Sequence, residues 1–310
     1  MTAVPAPASR RAGAAILLAM LLSAMAAAVA VTVFADQRRW AETVLHRRDQ
    51  VQAQALAVAG VQWARQIVHD DARRSVIDHL GEPWAIPLPA IPVESGEVRG
   101  VIVDAQSRLN LNALGTTGAT SAAERARLQR LFAGRGGPLA ALDAIADWVD
   151  ADTTPRPDGA EDPHYLALAP AAVAADLPVL RTAELLAVRG VTEANLAALA
   201  PYVSALPVNT PLNVNTAAPE VLATLVDGAS AQGLAGLVAG RSAKPFTTVA
   251  EFRARLPAGA SLPTDLGLSV RSDYFYATVE ARQGTTLGRA RALLHRRPGA
   301  WPAVLWQIVE

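Results

Sequence analysis

The feature that most constrains this chain is an uncharged, predominantly apolar segment near its N-terminus, residues 12–35. Arg10 and Arg11 precede the segment, and polar residues resume at Asp36. As an α-helix the segment is about 36 Å long, which exceeds the hydrocarbon core of a bilayer at about 30 Å. It therefore predicts one membrane-spanning helix. The arginines place the N-terminus in the cytoplasm, so the rest of the chain lies across the membrane.

Three interpretations of this segment are open from its residues. The first is a secretory signal that is removed after Ala35, and the second is an uncleaved anchor. The third is a prepilin-type leader, in which residues 1–13 are cut off between Gly13 and Ala14 and the apolar segment remains as anchor and assembly helix. Pilin-like proteins usually carry glutamate at the fifth mature position, where this chain has Leu18.

The composition excludes several classes of site. The chain has no cysteine, which removes disulfides and thiolate chemistry. Its 28 basic and 28 acidic residues give a formal net charge of zero, which argues against a general nucleic-acid or anionic-lipid binder. The histidines are scattered without metal-ligand spacing, and no group of serine, histidine and aspartate suggests a catalytic triad. We therefore expect a protein that is not an enzyme.

A second helical pattern follows the apolar segment. Residues 36–80 contain no proline, and five valines recur there at spacings of seven and three: Val44, Val51, Val58, Val61 and Val68. The pattern predicts one long helix that leaves the membrane and packs one face on a globular domain. Its valines also offer contact surface to neighbouring helices. We expect the helix to end near Gly81 and the prolines between residues 83 and 92 to form an extended connector.

Strand-like patterns bracket a helical block. Residues 97–104 are rich in β-branched side chains, and four further strands are expected at 268–270, 274–282, 287–296 and 303–309. Short helical patterns fill residues 121–256. The order predicts an α+β fold in which an N-terminal long helix packs on an antiparallel sheet that carries a large all-α insertion. The expected segments are a leader at 1–13, the membrane-spanning part of the helix at 14–35, and the rest of the helix with the first part of the α/β domain at 36–106. The insertion is expected at 107–266 and the C-terminal strands at 267–310.

Within the predicted insertion, acidic residues cluster after a helical pattern. Residues 139–162 hold seven acids and one base, Arg156, and a proline–glycine loop follows Asp150. Clustered carboxylates repel each other unless a cation lies among them, and oxygen ligands without histidine or cysteine suit calcium. A solvated acidic loop and a paired-carboxylate hydrolase are the alternatives, although no nucleophile or base stands out nearby.

Two helix–hairpin–helix-like units follow in the same block. The first turns at Gly190 and the second at Asp227–Gly228. In nucleic-acid readers of this shape the hairpin amides bind a phosphate. Here residues 181–255 contain six bases and five acids, and Asp227 itself would oppose a phosphate. We therefore interpret the units as packing modules and expect no nucleic-acid partner.

Several motifs together resemble one family. They are DAQSRLNLN at 104–112, ADWVDAD at 146–152, PLNVNTA at 211–217 and SDYF at 272–275, besides the Gly13 leader without the glutamate. With these motifs the chain resembles the minor pseudopilin K family of the type II (general) secretion system over nearly its whole length. The resemblance implies a pilin-like α/β domain with a helical insertion, and a place at the tip of the periplasmic pseudopilus.

The resemblance also implies a processing site, a metal and partners. Prepilin peptidase would cut before Ala14 and N-methylation would follow. One or two calcium ions would bind the insertion, and we expect Asp150, Asp152, Glu161 and Asp162 to supply most of the ligands. The partners would be minor pseudopilins of the I and J types and the inner-membrane secretion machinery, with helix contacts at Val44, Val51, Val58 and Val61. In pilin-like proteins the glutamate at the fifth mature position would pair with the charged N-terminus of the subunit above. A subunit at the tip has no subunit above it, so Leu18 in that position loses no contact.

A membrane-anchored DNA-uptake protein is the alternative function. Residues 213–246 resemble the tandem hairpin domain of such proteins. That likeness covers only part of the predicted insertion, whereas the pseudopilin likeness extends over nearly the whole chain.

Overall fold

The structure, a computed structural model, describes residues 9–94, 96–116, 119–263 and 267–310. A long N-terminal helix, a five-stranded antiparallel sheet and a block inserted between two strands of that sheet make up the fold. The helices are α1 Ser9–Ala72, α2 Ala119–Gly134, α3 Ala141–Val149, α4 Asp162–Leu166, α5 Glu193–Leu199, α6 Pro219–Ala223, α7 Ala231–Ala243 and α8 Val249–Ala254. The strands are β1 Leu88–Val93, β2 Gly96–Asp104, β3 Leu109–Asn110, β4 Val203–Ser204, β5 Leu212–Asn213, β6 Leu268–Ser269, β7 Tyr274–Gln283, β8 Thr286–His295 and β9 Ala303–Val309.

Helix α1 is 64 residues long and has two different halves. Residues 13–48 are all exposed, whereas a stripe in the second half is buried: Ala53, Ala57, Val61, Ala64 and Val68. The stripe recurs every three or four residues, which is the helical period. One face of the second half therefore packs on the domain, as the sequence predicted.

The predicted end of α1 near Gly81 is wrong, because the helix stops at Ala72. The side chain of Ser75 donates a hydrogen bond to the carbonyl oxygen of Ile77 at 2.7 Å and accepts one from the amide of Ile77. A short polar side chain that binds its own backbone in this way competes with the helical hydrogen bonds. The chain therefore turns well before the glycine.

The sheet has the strand order β1-β2-β7-β8-β9, and each pair of neighbours is antiparallel. Strands β2, β7, β8 and β9 lie where the sequence predicted strands. The predicted connector of residues 83–92 is only partly correct, because residues 88–93 form the edge strand β1. Pro89 and Pro92 are tolerated there because an edge strand leaves part of its backbone unpaired. Phe275 and Val279 of β7 meet the buried stripe of α1 in one apolar core.

The inserted block has a separate apolar core, which includes Phe132, Leu142 and Phe246. Its secondary structure is mostly helical but the prediction of an all-α insertion is not confirmed. Two short parallel pairs, β3 with β4 and β5 with β6, tie the block together. Strand β6, which was expected beside the C-terminal antiparallel strands, instead pairs with β5.

Asp104, at the end of β2, joins the sheet to the inserted block. Its Oδ2 accepts hydrogen bonds from Asn213 Nδ2 at 3.0 Å, Thr216 Oγ1 at 2.5 Å and Ser272 Oγ at 2.6 Å. Its Oδ1 accepts one from the amide of Gln106 at 2.8 Å. The motifs DAQS, NVNT and SDYF therefore meet at one buried carboxylate.

Candidate metal centre and exposed helix

An acidic centre forms where α3 ends. Asp150 follows the last residue of α3, Asp152 lies in the next turn, and Glu161 precedes α4. One carboxylate oxygen from each of these residues lies within 4.8 Å of the others. Asp150 and Glu161 are buried, whereas Asp152 is exposed. The structure thus brings together three of the four residues that the sequence predicted as calcium ligands.

Arg156, the one base of the acidic loop, balances part of this charge. Its Nη1 donates to Asp147 Oδ1 and to Asp150 Oδ2, both at 2.5 Å. Asp147 is fully buried, so its carboxylate needs this ion pair. The guanidinium leaves the other oxygen of Asp150 and the carboxylates of Asp152 and Glu161 without a cation.

Within the described part of the chain, three buried carboxylate oxygens near the centre have no hydrogen-bond partner: Asp150 Oδ1, Glu161 Oε1 and Asp176 Oδ1. Burial raises the pKa of Glu161 to about 7, and the charges of Asp147 and Asp176 contribute to the rise. Buried polar atoms are nearly always paired, so unpaired carboxylate oxygens at one site are groups that could hold a cation.

The sequence did not single out Asp176. This residue has a left-handed backbone, with φ of 49°, and its charge acts on Glu161 from a loop with no regular structure. The only signal was its position as the one charged residue in the apolar stretch 167–180.

Asp162 was predicted as a ligand but lies outside the group of three. Its Oδ1 accepts a hydrogen bond from the amide of Ala174 at 2.9 Å, which closes the loop after α4. Asp162 is also the first residue of α4. The group of Asp150, Asp152 and Glu161 offers oxygen alone. Such a set fits calcium, which accepts six to eight oxygen ligands.

The exposed half of α1 is the second candidate site. Val44 is 44% exposed and Val51 is 65% exposed, whereas Val58 is half-buried. Val61 is 0% exposed and packs in the core below the helix, so its prediction as a partner contact is wrong. The valine period of seven drifts around a helix of 3.6 residues per turn. Only the first part of the valine stripe is therefore free for another helix.

The N-terminal end of α1 carries the predicted processing site. Gly13 and Ala14 are both exposed and helical. From Gly13 onward α1 is long and apolar enough to cross a membrane, and an 18-residue window has a mean hydropathy of 2.5 with none of its residues buried. The segment thus fits a membrane anchor.

The hairpin region buries one of its basic side chains and pairs the acid at its second turn. Arg241 is buried and donates to the carbonyl oxygens of Val214 and Ala217, both at 2.6 Å. Asp227 at the second hairpin pairs with Arg130 at 2.7 Å. Internal contacts of this kind are typical of packing modules.

Comparison with known proteins gives a consistent result. The family described as type II secretion system (T2SS), protein K, matches in two parts, at residues 107–208 and 212–271. The type II secretion system protein K of Pseudomonas aeruginosa is 32% identical over 289 residues, which covers 88% of this chain and 85% of that protein. The corresponding protein of Klebsiella pneumoniae is 30% identical, and the match covers 93% of both chains. The chain belongs to the type II secretion system protein K family.

This K-family chain is thus a minor pseudopilin of the type II secretion system, as the sequence motifs implied. Its fold is also that of a solved structure, the GspK-GspI-GspJ complex from enterotoxigenic Escherichia coli. The TM-score is 0.77 at 23% identity, and the match covers 86% of this chain and 99% of the solved chain. None of these comparisons supports the DNA-uptake alternative.

Proposed function

We propose that this K-family chain is a non-catalytic subunit at the tip of the periplasmic pseudopilus, where it assembles with minor pseudopilins of the I and J types. Residues 14–35 would hold it in the inner membrane, with the sheet and the inserted block in the periplasm. The observation that carries the proposal is the exposed half of α1 in a family member that matches its relatives over most of their length. The fold neighbour was itself solved with GspI and GspJ, which supports these partners.

The exposed half of α1 has two parts, whose apolar side chains would be buried by different surroundings. Residues 14–35 expose apolar side chains, which a bilayer would bury. Residues 36–52 continue as helix and expose Val44, Leu45 and Val51 beyond the membrane. An unpartnered helix with apolar side chains of this kind suits contact with neighbouring helices in a bundle.

A leucine in place of the usual glutamate at the fifth mature position supports the location at the tip. Counted from Ala14, the fifth residue is Leu18, which carries no charge. A glutamate at this position would pair with the charged N-terminus of the subunit above. A tip subunit has no subunit above it, and the bulk of the inserted block would obstruct one.

Processing is expected between Gly13 and Ala14, with methylation of the new N-terminus. Mass spectrometry of the mature chain tests this directly. A chain that begins at Ala14 supports the prepilin-type leader. A chain that begins at Asp36 would show that the apolar segment is an ordinary secretory signal.

The assembly proposal is tested with the full-length chain in detergent, co-purified with I- and J-type pseudopilins. Val51→Asp should weaken the complex by roughly 2 kcal/mol or more, because it buries a charge in an apolar helix contact. Val208→Asp is the matched control, since Val208 is also exposed but lies in a loop of the inserted block. Equal complex formation by both variants would contradict the proposed contact. DNA binding near physiological salt without a pseudopilin complex would favour the uptake protein instead.

Calcium is proposed as the cation of the acidic centre, held by Asp150, Asp152 and Glu161 with Asp176 beside them. The ion would offset the carboxylate repulsion and fix the loop between α3 and α4. Hydrogen exchange of residues 150–161 should therefore slow when calcium is added, and Asp152→Ala should abolish the slowing. Asp158→Ala removes an exposed acid of the same loop outside the group and should leave it intact. An unmodified loop that exchanges equally with calcium and with chelator would refute the proposal.

A further inference from the structure

A second group of carboxylates lies at the end of α1 and shares no residue with the centre in the inserted block. Asp71 belongs to the last turn of α1, and Asp78 and Glu82 lie in the turn that follows. All three are buried, and one oxygen from each lies within 4.8 Å of the others. Neither the pseudopilin function nor the sequence motifs account for this group.

Arg296, directly after β8, supplies the one guanidinium that contacts the group among the described residues. Its Nη1 donates to Asp71 Oδ2 at 2.9 Å, and its Nη2 donates to Asp78 Oδ2 and to the carbonyl oxygen of Ser272, both at 2.5 Å. The amide of Ser272 also donates to Asp78 Oδ2, at 2.7 Å. Arg296 therefore engages one oxygen from each of the two aspartates.

Glu82 is held in place by neutral donors. Its Oε2 accepts from Trp84 Nε1 at 2.8 Å and from the amide of His79 at 2.9 Å. His79 Nδ1 accepts from the amide of Gly81, so His79 Nε2 is the nitrogen that faces Glu82 Oε1, at 3.9 Å. These contacts fix the position of Glu82, and neither the indole nor the backbone amide carries a charge to balance its carboxylate.

The charges of the group do not balance. Three carboxylates face one guanidinium, which leaves two negative charges in a buried site. Asp78 is 1% exposed, and its Oδ1 is buried without a hydrogen-bond partner in the part of the chain that the structure describes. Asp104 lies close enough to act on Asp78, but four donors already occupy its own oxygens.

We propose that Asp71, Asp78 and Glu82 bind one divalent cation, for which calcium is the best candidate. An ion of charge +2 balances the two excess negative charges. Asp78 Oδ1, which is buried and unpaired, points to the position of the ion. The ligands are all carboxylate oxygens, which suit a hard cation. Because the two sites have separate ligands, either can exist without the other.

The cation would join three parts of the chain. Asp71 lies on α1, Asp78 and Glu82 lie on the turn after it, and Arg296 connects the same carboxylates to the end of β8. The amide of Asp78 also donates to the carbonyl oxygen of Val270, beside the inserted block. Binding would therefore secure the end of the anchor helix where the sheet and the inserted block meet.

Terbium, a luminescent substitute for calcium, tests the site through Trp84. Terbium emits when a nearby tryptophan is excited, and Trp84 Nε1 is hydrogen-bonded to Glu82. The full-length chain in detergent carries Asp152→Ala, which disables the centre in the inserted block. We expect tryptophan-sensitised emission that calcium displaces and that is lost on adding Asp78→Asn. Trp84→Phe should also lose the emission while keeping the calcium-dependent rise in melting temperature.

The matched control is Asp70→Asn, because Asp70 is adjacent to Asp71 but binds Gln66 outside the group. This variant should retain the emission. Circular dichroism confirms the fold of each variant, and Glu82→Gln replaces Asp78→Asn if that chain does not fold. Emission that is absent from the Asp152→Ala chain, or that persists with Asp78→Asn, would overturn the proposal. A melting temperature that responds to pH but not to calcium would show instead that the carboxylates share protons.

Discussion

Replacing Asp104 by asparagine should loosen the junction between the sheet and the inserted block. The amide has one acceptor oxygen, whereas both carboxylate oxygens of Asp104 accept hydrogen bonds. The hydroxyls of Thr216 and Ser272 can rotate, but the N–H groups of Asn213 and Gln106 cannot change role. In either amide orientation one of these N–H groups faces the new NH2. That N–H group and the new NH2 are then two buried donors without acceptors. At about 1–3 kcal/mol each, they predict a loss of about 2–6 kcal/mol in the free energy of unfolding.

The loss should depend on pH, with a sign opposite to that of ordinary acid denaturation. Burial raises the pKa of Asp104 from 3.8 to about 6, despite the hydrogen bonds from Ser272 and Thr216. Because the folded pKa lies above the unfolded value, the protonated carboxyl stabilises the fold below about pH 4. That stabilisation disappears as the pH rises towards 6, and the shift of about two pKa units corresponds to about 3 kcal/mol.

The assay is reversible urea unfolding of the full-length chain in detergent at several pH values between about 4 and 7. Asparagine does not ionise, so the difference between the two chains should shrink by up to about 3 kcal/mol as the pH rises. Asp273→Asn is the control, because Asp273 is half-exposed and pairs only weakly with Arg271 at 3.8 Å. At about pH 7, where Asp104 is ionised and both its oxygens accept, a loss below about 0.5 kcal/mol for Asp104→Asn, the level of a typical surface substitution, would refute the reasoning.

Three further substitutions test the two cores and a helix cap by thermal unfolding. Gly288→Ala should cost about 1–3 kcal/mol, because its Cβ would lie 2.6 Å from the backbone carbonyl carbon of Ala53 in α1. Leu142→Ala should cost about 2–5 kcal/mol and unfold the inserted block first, since Leu142 is fully buried in its core. Thr192→Ala should cost about 1 kcal/mol, because the Thr192 side chain caps α5 by accepting from the amide of Asn195. Unchanged melting temperatures would contradict each estimate.

The sequence predicted the parts of the fold that have strong local patterns. β-Branched runs and Gly or Pro turns located β2, β7, β8 and β9, and the apolar run located the first half of α1. The edge strand β1 was taken for a connector because its prolines mask strand character. The valine pattern includes Val61 and Val68 of the buried stripe but not its alanines, because alanine gives little hydrophobic contrast beside valine. Tertiary contacts, which a local pattern does not contain, decide both cases.

The acidic centres show the same limit. Asp150, Asp152 and Glu161 are close in sequence, so the spacing of the acids alone indicates their clustering. Asp176, whose charge acts on Glu161, lies on a later loop without regular structure. The group at the end of α1 depends on Arg296, which lies more than two hundred positions away. No spacing rule connects residues at that separation.

The small residues between α1 and the sheet have a mechanical consequence. A Cβ on Gly60 would lie 2.5 Å from a methyl group of Val279, and Gly288 lies directly against the backbone at Ala53. Such close approach leaves no room for the helix to roll or slide on the strands. Helix α1 and the sheet, with the inserted block attached to it, should therefore rotate as one rigid body. A rotation of α1 about its axis at the membrane would swing the inserted block through the same angle.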